Sequence, residues 1–268
     1  MAQSNSNSKN AYSEFNKIDR EFGVKDNGKV EFANSSIRKY CYHNYSNGNG
    51  TCYSYFEMAS SGVINLLKSL EKYGLEYDKL AEYAILFLSY KLKQNPDYSH
   101  RKLNEFYTKH IGDKHFKEKI NDNNNMTYKD IIDKKKDLMN MNIKETSKFN
   151  VLFSILFSFY NEINKSNMDC KNCSQKANEF VQKFEELNND SNINGNTSYS
   201  KLLFTLSDDY NNLKNKCTDF PPLPKVKTPP SKLIPVLSTF SVIPVFLGIA
   251  YKTIFKKKIK KNNEENET

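Results

Sequence analysis

Five cysteines are the residues of this chain whose chemistry is easiest to interpret: Cys41, Cys52, Cys170, Cys173 and Cys217. In a protein outside the cytosol, cysteines with such spacing are expected to form disulfides. Cys41 and Cys52 are close in sequence and would close the loop between them. Either Cys170 or Cys173 could join Cys217 and connect the last two helices. The odd number leaves one thiol free or paired between chains.

The cysteines also match two other kinds of site. Cys170-Lys171-Asn172-Cys173 has the CxxC spacing of redox enzymes, but that chemistry needs a helix that follows a strand in a thioredoxin-like unit. No such strand pattern precedes this pair. A zinc site of Cys41, His43, Cys170 and Cys173 would join two pairs that lie over 100 residues apart. Disulfides therefore account for the cysteines better than redox catalysis or metal binding.

The remaining reactive side chains form no recognisable catalytic pattern. Four histidines, His43, His100, His110 and His115, fall on polar segments, where we expect them to be solvated. The sequence has no nucleophile elbow, phosphate-binding loop or paired-carboxylate spacing. We therefore expect a protein that is not an enzyme and has no cofactor.

The charge balance argues against nucleic-acid binding. The chain has 40 Lys and Arg against 31 Asp and Glu, a formal net charge of +9, but the positive charge is spread along the sequence. Sequence-specific readers of DNA rely on arginine for bidentate contacts with bases. Only Arg20, Arg38 and Arg101 are available here, so we expect no nucleic-acid partner.

The run Leu233 to Tyr251, LIPVLSTFSVIPVFLGIAY, contains no charged residue over 19 positions. As a helix it would span about 28 Å, close to the ~30 Å hydrocarbon core of a bilayer. Six lysines follow, where they can face lipid headgroups: Lys252, Lys256, Lys257, Lys258, Lys260 and Lys261. Lysine-rich flanks stay on the cytoplasmic side. The sequence therefore predicts a single-pass membrane protein with its body outside or in a lumen and its C-terminus in the cytosol.

The body before this run has the periodicity of α-helices. Apolar residues recur at helical spacing in 54–73, 77–93, 127–141, 145–165, 174–188 and 198–216, and 99–110 is predicted as a short polar helix. Two runs, YAILFL at 83–88 and VLFSILFSFY at 151–160, are apolar nearly all round, as expected of core helices. We predict an all-α fold: a disulfide-stapled bundle of six or seven helices, plus one C-terminal transmembrane helix.

Composition divides the chain into five parts. Residues 1–11 are polar and are predicted to be a disordered tail, and residues 12–219 form the helical ectodomain, with a turn or small hairpin at 22–32 and a loop at 44–51. Residues 220–232 contain five of the eight prolines and are predicted to be an extended stalk. The membrane helix, 233–251, and a short basic then acidic cytoplasmic tail, 252–268, complete the chain.

Several segments together resemble a known family. They are the membrane segment Lys232 to Lys252, Met168 to Cys173, NEFVQKFEELNND at 178–190, DDYNNLKNKC at 208–217, and Tyr40-Cys41 with Asn49 to Cys52. All are similar to segments of the Plasmodium interspersed repeat (PIR) proteins, rodent-type variant antigens of malaria parasites. The resemblance covers most of the chain after the first eleven residues. It departs from the family after Cys217, where relatives usually have a further cysteine, and in its shorter tail.

The resemblance implies a mostly helical ectodomain with a C-terminal membrane anchor and no catalytic role. It also implies a variant surface antigen of infected erythrocytes, serving antigenic variation, immune evasion and, in some members, adhesion to host cells. The partners would then be the lipid bilayer and a host receptor or antibody, and the location a membrane of the infected erythrocyte or the parasite. The alternative is an exported structural or trafficking protein that tethers membranes inside the host cell. That alternative predicts reduced cysteines, because the cytosol does not favour disulfides.

Overall fold

The computed structural model of this chain describes residues 2–26, 30–41, 43–110, 112, 114–121, 125–165 and 173–229. The expected membrane helix 233–251, the basic tail 252–268 and Cys170 lie outside these residues. Among the described helices, none combines the length and the apolar character needed to cross a membrane.

Ten α-helices make up most of the described chain, so the mostly helical fold is confirmed. They are α1 Ala2–Asp19, α2 Ser35–Arg38, α3 Tyr55–Glu71, α4 Tyr77–Gln94, α5 Leu103–His110, α6 Tyr128–Asp133, α7 Ile143–Lys165, α8 Ser174–Asn188, α9 Ser191–Asn194 and α10 Thr197–Lys214. Short 3-10 helices lie at Lys114–Lys117 and Lys136–Asn140. Seven of the ten α-helices correspond to predicted stretches, and α1, α2 and α9 are additional.

Four short strands show that the body is not purely α-helical. Strands β1 Phe22–Lys25 and β2 Val30–Ala33 form an antiparallel hairpin in which Phe22 is opposite Ala33 and Lys25 is opposite Val30. This is the hairpin predicted at 22–32. Strands β3 His43–Ser46 and β4 Asn49–Thr51 form a second, separate hairpin.

Side-chain caps explain where several helices begin. Ser54 Oγ accepts a hydrogen bond from the backbone N–H of Glu57 in the first turn of α3. Thr127 and Asp130 form a reciprocal capping box at the start of α6. Asn196 accepts from two backbone N–H groups at the start of α10. Each cap satisfies amide donors that a helix N-terminus leaves unpaired.

The core lies where α1, α3, α4, α7 and α10 meet. Helix α4 is buried on almost every side between Leu80 and Leu92, as its apolar sequence predicts. Aromatic rings fill much of the interior. The rings of Tyr12 in α1 and Tyr160 in α7 stack with centroids 4.2 Å apart, and Phe15 stacks on Phe87 of α4 at 5.8 Å.

Helix α1 corrects the expectation that residues 1–11 are a disordered tail. It begins at Ala2, and Ser8 and Ala11 are both 0% exposed. Ser8 Oγ donates a hydrogen bond of 2.6 Å to the carboxylate of Asp209 in α10. The sequence here has no apolar periodicity because part of its contact with the body is polar, so only the tertiary structure reveals the helix.

The proline-rich segment also differs from the extended stalk expected for 220–232. As far as Pro229 it belongs to the same compact unit as the helices. Phe220 is 2% exposed, with its ring 5.9 Å from that of Tyr210. Asn188 Nδ2 donates to the backbone carbonyl of Lys225 at 2.9 Å. These contacts hold residues 220–229 against the bundle.

Candidate binding surfaces

The disulfide between Cys41 and Cys52 is formed, as predicted, with the two Cα atoms 4.9 Å apart. It closes the base of the β3–β4 hairpin. Asn47 and Gly48 at the tip have φ of 50° and 80°, the left-handed pair that a tight type I′ turn requires. The loop expected at 44–51 is therefore an ordered hairpin. We call β3, β4 and the two cysteines the stapled hairpin.

Tyr53 directly follows the stapled hairpin and is 61% exposed. Its ring stacks on that of His43 with centroids 4.2 Å apart, and its hydroxyl accepts a hydrogen bond of 2.5 Å from Asn44 Nδ2. Its backbone N–H donates to the carboxylate of Glu57 at 2.6 Å. A large aromatic ring is thus held in place yet open to solvent. Such rings serve as anchors in protein interfaces because they contribute contact area at low entropic cost.

The other described cysteines differ in state. Cys217 is disulfide-bonded, and its partner lies outside the described residues. Cys173 is 4% exposed and its thiol donates a hydrogen bond of 3.3 Å to Glu162 Oε2. Because Cys41 is bonded to Cys52, it cannot offer a thiolate to the zinc site considered above. Within the described residues, no three potential metal ligands come together.

Two of the four histidines are not solvated, contrary to expectation. His110 is 8% exposed and packs against the rings of Phe56 and Phe106. His115 is 7% exposed, with Nδ1 2.7 Å from Oε1 of Glu118. Both occur in polar sequence, so their burial is set by tertiary packing rather than by local pattern.

A fully buried carboxylate, Asp209, lies at the meeting point of α1, α4 and α10. It accepts hydrogen bonds from Ser8 Oγ at 2.6 Å, Tyr83 OH at 2.8 Å and Tyr12 OH at 3.2 Å. Burial raises the pKa of Asp209 to about 6, although the ammonium of Lys79, 3.8 Å away, and these hydrogen bonds favour the charged form. Since its oxygens are occupied by hydroxyl groups of its own chain, this carboxylate joins helices.

The spacing of residues along α10 contains a signal for the burial of Asp209. Leu202, Leu206, Asp209 and Leu213 share one face of α10 at helical spacing, and all four are buried. A carboxylate on an apolar face must be paired or hydrogen-bonded when the face is buried. The sequence could have indicated a buried acid here, but its partners on α1 and α4 could be found only in the structure.

A groove of about 600 Å³ lies between α10 and residues 223–229. Its walls include Lys201, Phe204 and Asn211 from α10, and Leu223, Lys225 and Pro229 from the proline-rich segment. Phe204 is 63% exposed. The described lining residues include two lysines and no acidic side chain. We call this surface the α10 groove.

Comparisons with known proteins place this fold in a family. A family model described as Plasmodium variant antigen protein Cir/Yir/Bir matches residues 12–252. The chain belongs to this family. A solved structure described as "Structure of a Plasmodium PIR protein ectodomain" is similar to this variant antigen, with 33% sequence identity and a TM-score of 0.61. The match covers 83% of this chain and 99% of that chain. No match was found among curated proteins.

Family membership confirms the resemblance found in the sequence. The described body of this variant antigen has the fold of a PIR ectodomain. The variant antigen family and the ectodomain match also favour a protein that is not an enzyme. For such a protein, the relevant surfaces are those that another molecule can reach, among them the stapled hairpin with Tyr53 and the α10 groove.

Proposed function

We propose that this variant antigen is a single-pass membrane protein of malaria-infected red cells that displays its helical body outside the cytosol. The exposed surface of that body would be what antibodies meet. Changes in it between family members would serve antigenic variation and immune evasion. The function requires no catalysis: the body is a scaffold that presents side chains.

The disulfides are the main support for the proposed membrane topology, in which the body lies outside the cytosol. Cys41 is joined to Cys52, and Cys217 is also disulfide-bonded. Disulfides form and persist outside the cytosol and are rare within it. The lysines after Tyr251 favour the cytoplasmic side for the opposite end of the expected membrane helix. Both features support a body that faces outward or into a lumen.

The division of the body into a buried core and an exposed surface supports the proposed role in antigenic variation. Buried residues such as Tyr12, Tyr83 and Asp209 contact one another across helices, so changes there would destabilise the fold. Exposed positions away from such contacts usually change stability by less than about 0.5 kcal/mol. The tip of the stapled hairpin, Asn47 to Asn49, is exposed. A body built in this way can vary its surface while keeping its fold.

Protease treatment of intact infected cells tests the display. We expect trypsin to remove the body, detected by an antibody to residues 43–110, while a cytosolic marker stays intact. The control is the same treatment after permeabilisation, which must cleave both proteins. If the body survives while a known surface protein is cleaved, surface display is contradicted.

Tyr53 favours adhesion as a second candidate function. Its ring is fixed by His43 and Asn44 but remains 61% exposed. We expect Tyr53→Ala to reduce binding of the displayed body to host cells, whereas Lys9→Ala, at an exposed position of α1, leaves it unchanged. If neither variant differs from the parent, or if the parent does not bind, adhesion through Tyr53 is excluded for the cells tested.

A further inference from the structure

Two exposed side chains of α10, Lys201 and Phe204, form a ridge between two depressions. The α10 groove lies on one side of them, and a second depression of about 430 Å³ lies on the other. Both side chains line both depressions. Phe204 is 63% exposed, so most of its ring is in contact with water. We call these two residues the α10 ridge.

The wall of the α10 groove opposite the ridge is largely apolar. It comes from the proline-rich segment and includes Leu223, Pro224, Val226 and Pro229. Phe204 is therefore part of a shared apolar surface and is not a single exposed side chain. Surfaces of this kind mark sites of interaction, because covering them removes apolar area from water. At about 600 Å³, the groove has room for a large aromatic ring.

A positive charge lies on the same wall. Lys225 is exposed, and its backbone carbonyl is held by the hydrogen bond from Asn188. Within the described part of the chain, its ammonium has no carboxylate partner. The groove therefore offers an apolar wall with an unpaired cation beside it.

The second depression has the opposite character. It is lined by three acidic side chains, Glu76, Asp78 and Glu82. Two of its lysines already pair with carboxylates of the same chain: Lys135 lies 2.7 Å from Glu82, and Lys79 lies 3.3 Å from Asp208. Glu76 is exposed and has no ion-pair partner among the described residues. An unpaired anion therefore lies on this side of the ridge.

These features follow one another across the surface in a fixed order: Glu76 in the depression, the α10 ridge, the groove, and the wall with Lys225. A two-fold axis placed between the ridge and the groove exchanges these two features between copies. The same axis brings the wall of one copy opposite the depression of the other. One surface thus supplies both halves of the contact, as a symmetric interface requires.

We propose that this surface, from Glu76 across the α10 ridge to Lys225, is the interface of a symmetric dimer of this chain. Phe204 of each copy enters the α10 groove of the other, and Lys225 of each copy pairs with Glu76 of the other. The apolar contact provides affinity, and the charges fix the register. The dimer goes beyond antigen display and does not rest on the membrane anchor. It hides this face from antibodies.

Photo-crosslinking of the full-length chain tests the dimer. The photoreactive residue p-benzoylphenylalanine replaces Phe204, and this variant is mixed with isotopically labelled parent chain in phosphatidylcholine vesicles. After illumination, mass spectrometry identifies peptides that join an unlabelled to a labelled chain. The same residue in place of Tyr53 is the matched control, because Tyr53 is exposed to nearly the same extent, 61% against 63%.

We expect position 204 to crosslink to residues 223–229 of the labelled chain, giving a band at twice the chain mass, and position 53 to give no such product. The inference is overturned if position 204 joins no second chain, or joins one no more often than position 53 does. Crosslinks to lipid alone, or to a different surface of the second chain, overturn it as well.

Charge reversal tests the register of the dimer. We expect Lys225→Glu and Glu76→Lys each to lower the yield of the crosslink several-fold, since each brings like charges together. The double variant should recover most of the parent yield. Lys93→Glu, at an exposed position near the opposite end of α4 from Glu76, is the control and should change nothing. If the double variant crosslinks no better than the single ones, the two-fold arrangement is wrong.

Discussion

Asp209 shows at the scale of one residue how the body couples its stability to pH. Its ordinary pKa of 3.8 is raised to about 6 by burial in the folded protein. The folded state therefore holds the proton more tightly than the unfolded chain does. By linkage, the free energy of unfolding must decrease as the pH rises through the interval between these two values. Above that interval, the charged carboxylate reduces stability by about 3 kcal/mol, at ~1.4 kcal/mol for each pKa unit.

We predict that Asp209→Asn removes this pH dependence. Asparagine has a similar shape and can still accept from Ser8 or Tyr83, but it does not titrate. Denaturant unfolding of residues 1–229 at several pH values between about 4 and 7 measures the effect. The control is Asp97→Asn, because Asp97 is an exposed carboxylate outside the group of residues around Asp209. If Asp209→Asn unfolds with the pH dependence of the parent, the buried carboxylate does not titrate as described.

Aspartates with a lowered pKa act in a separate pH range from Asp209. The ammonium of Lys148 donates to Asp190 and holds the pKa of that carboxyl below its ordinary value of 3.8. Such groups stabilise the fold above their ordinary pKa and lose that contribution as the pH falls through the folded value. The effect of the Lys148–Asp190 pair therefore lies below the interval over which Asp209 titrates.

Ser8 tests whether α1 is part of the fold. We predict that Ser8→Ala lowers the free energy of unfolding by about 1–3 kcal/mol, because it removes a donor from a buried carboxylate. Lys9→Ala, at the next and exposed position, should change it by less than about 0.5 kcal/mol. Denaturant unfolding measures both variants. Equal effects of the two changes would mean that the hydrogen bond between Ser8 and Asp209 adds nothing to stability.

At the scale of elements, the stapled hairpin depends on its disulfide. The Cys41–Cys52 bond closes a loop with a sequence separation of 11. The chain-entropy model gives about 3 kcal/mol of stabilisation for a loop of this size. We predict that replacing both cysteines by serine lowers the free energy of unfolding by up to that amount. Cys173→Ser should cost less, because serine can keep the hydrogen bond to Glu162. Thermal unfolding of each variant checks the order, and a larger loss for Cys173→Ser would contradict it.

The sequence predicts some elements well because their local pattern and their environment agree. Helices α3, α4, α7, α8 and α10 carry apolar periodicity that the bundle buries. The small hairpin predicted at 22–32 is present as β1 and β2. By contrast, α2 and α9 have only four residues each, too few to show a period.

Where the sequence misled, polar contacts or distant partners decide the structure. The N-terminal segment is polar, and Ser8 is held by a hydrogen bond to Asp209, which lies 201 positions away in the sequence. The proline-rich segment has the composition of a free linker, but Phe220 and Asn188 attach it to the bundle. The α10 groove exists only because of that attachment. Its position could therefore not be predicted from local sequence, although Phe204 stands out on α10 once the buried face is known.

At the scale of the whole molecule, the cysteine states distinguish the outward-facing body from the cytosolic tether. In protein taken from infected cells without reduction, we predict that alkylation modifies Cys173 alone, and only after denaturation, because it is 4% exposed. Cys41 and Cys52 should be recovered as one linked peptide pair. Cys217 should be recovered in a linked peptide pair with Cys170. Cys170 is expected as its partner because it is the cysteine that remains after Cys41, Cys52 and Cys173 are assigned. The control is the same sample reduced before alkylation, in which all five cysteines must react. Modification of all five without reduction would place the body in a reducing cytosol. The membrane tether would then be the better interpretation of this protein's function. The helices and their caps can form in either compartment, whereas the disulfides cannot.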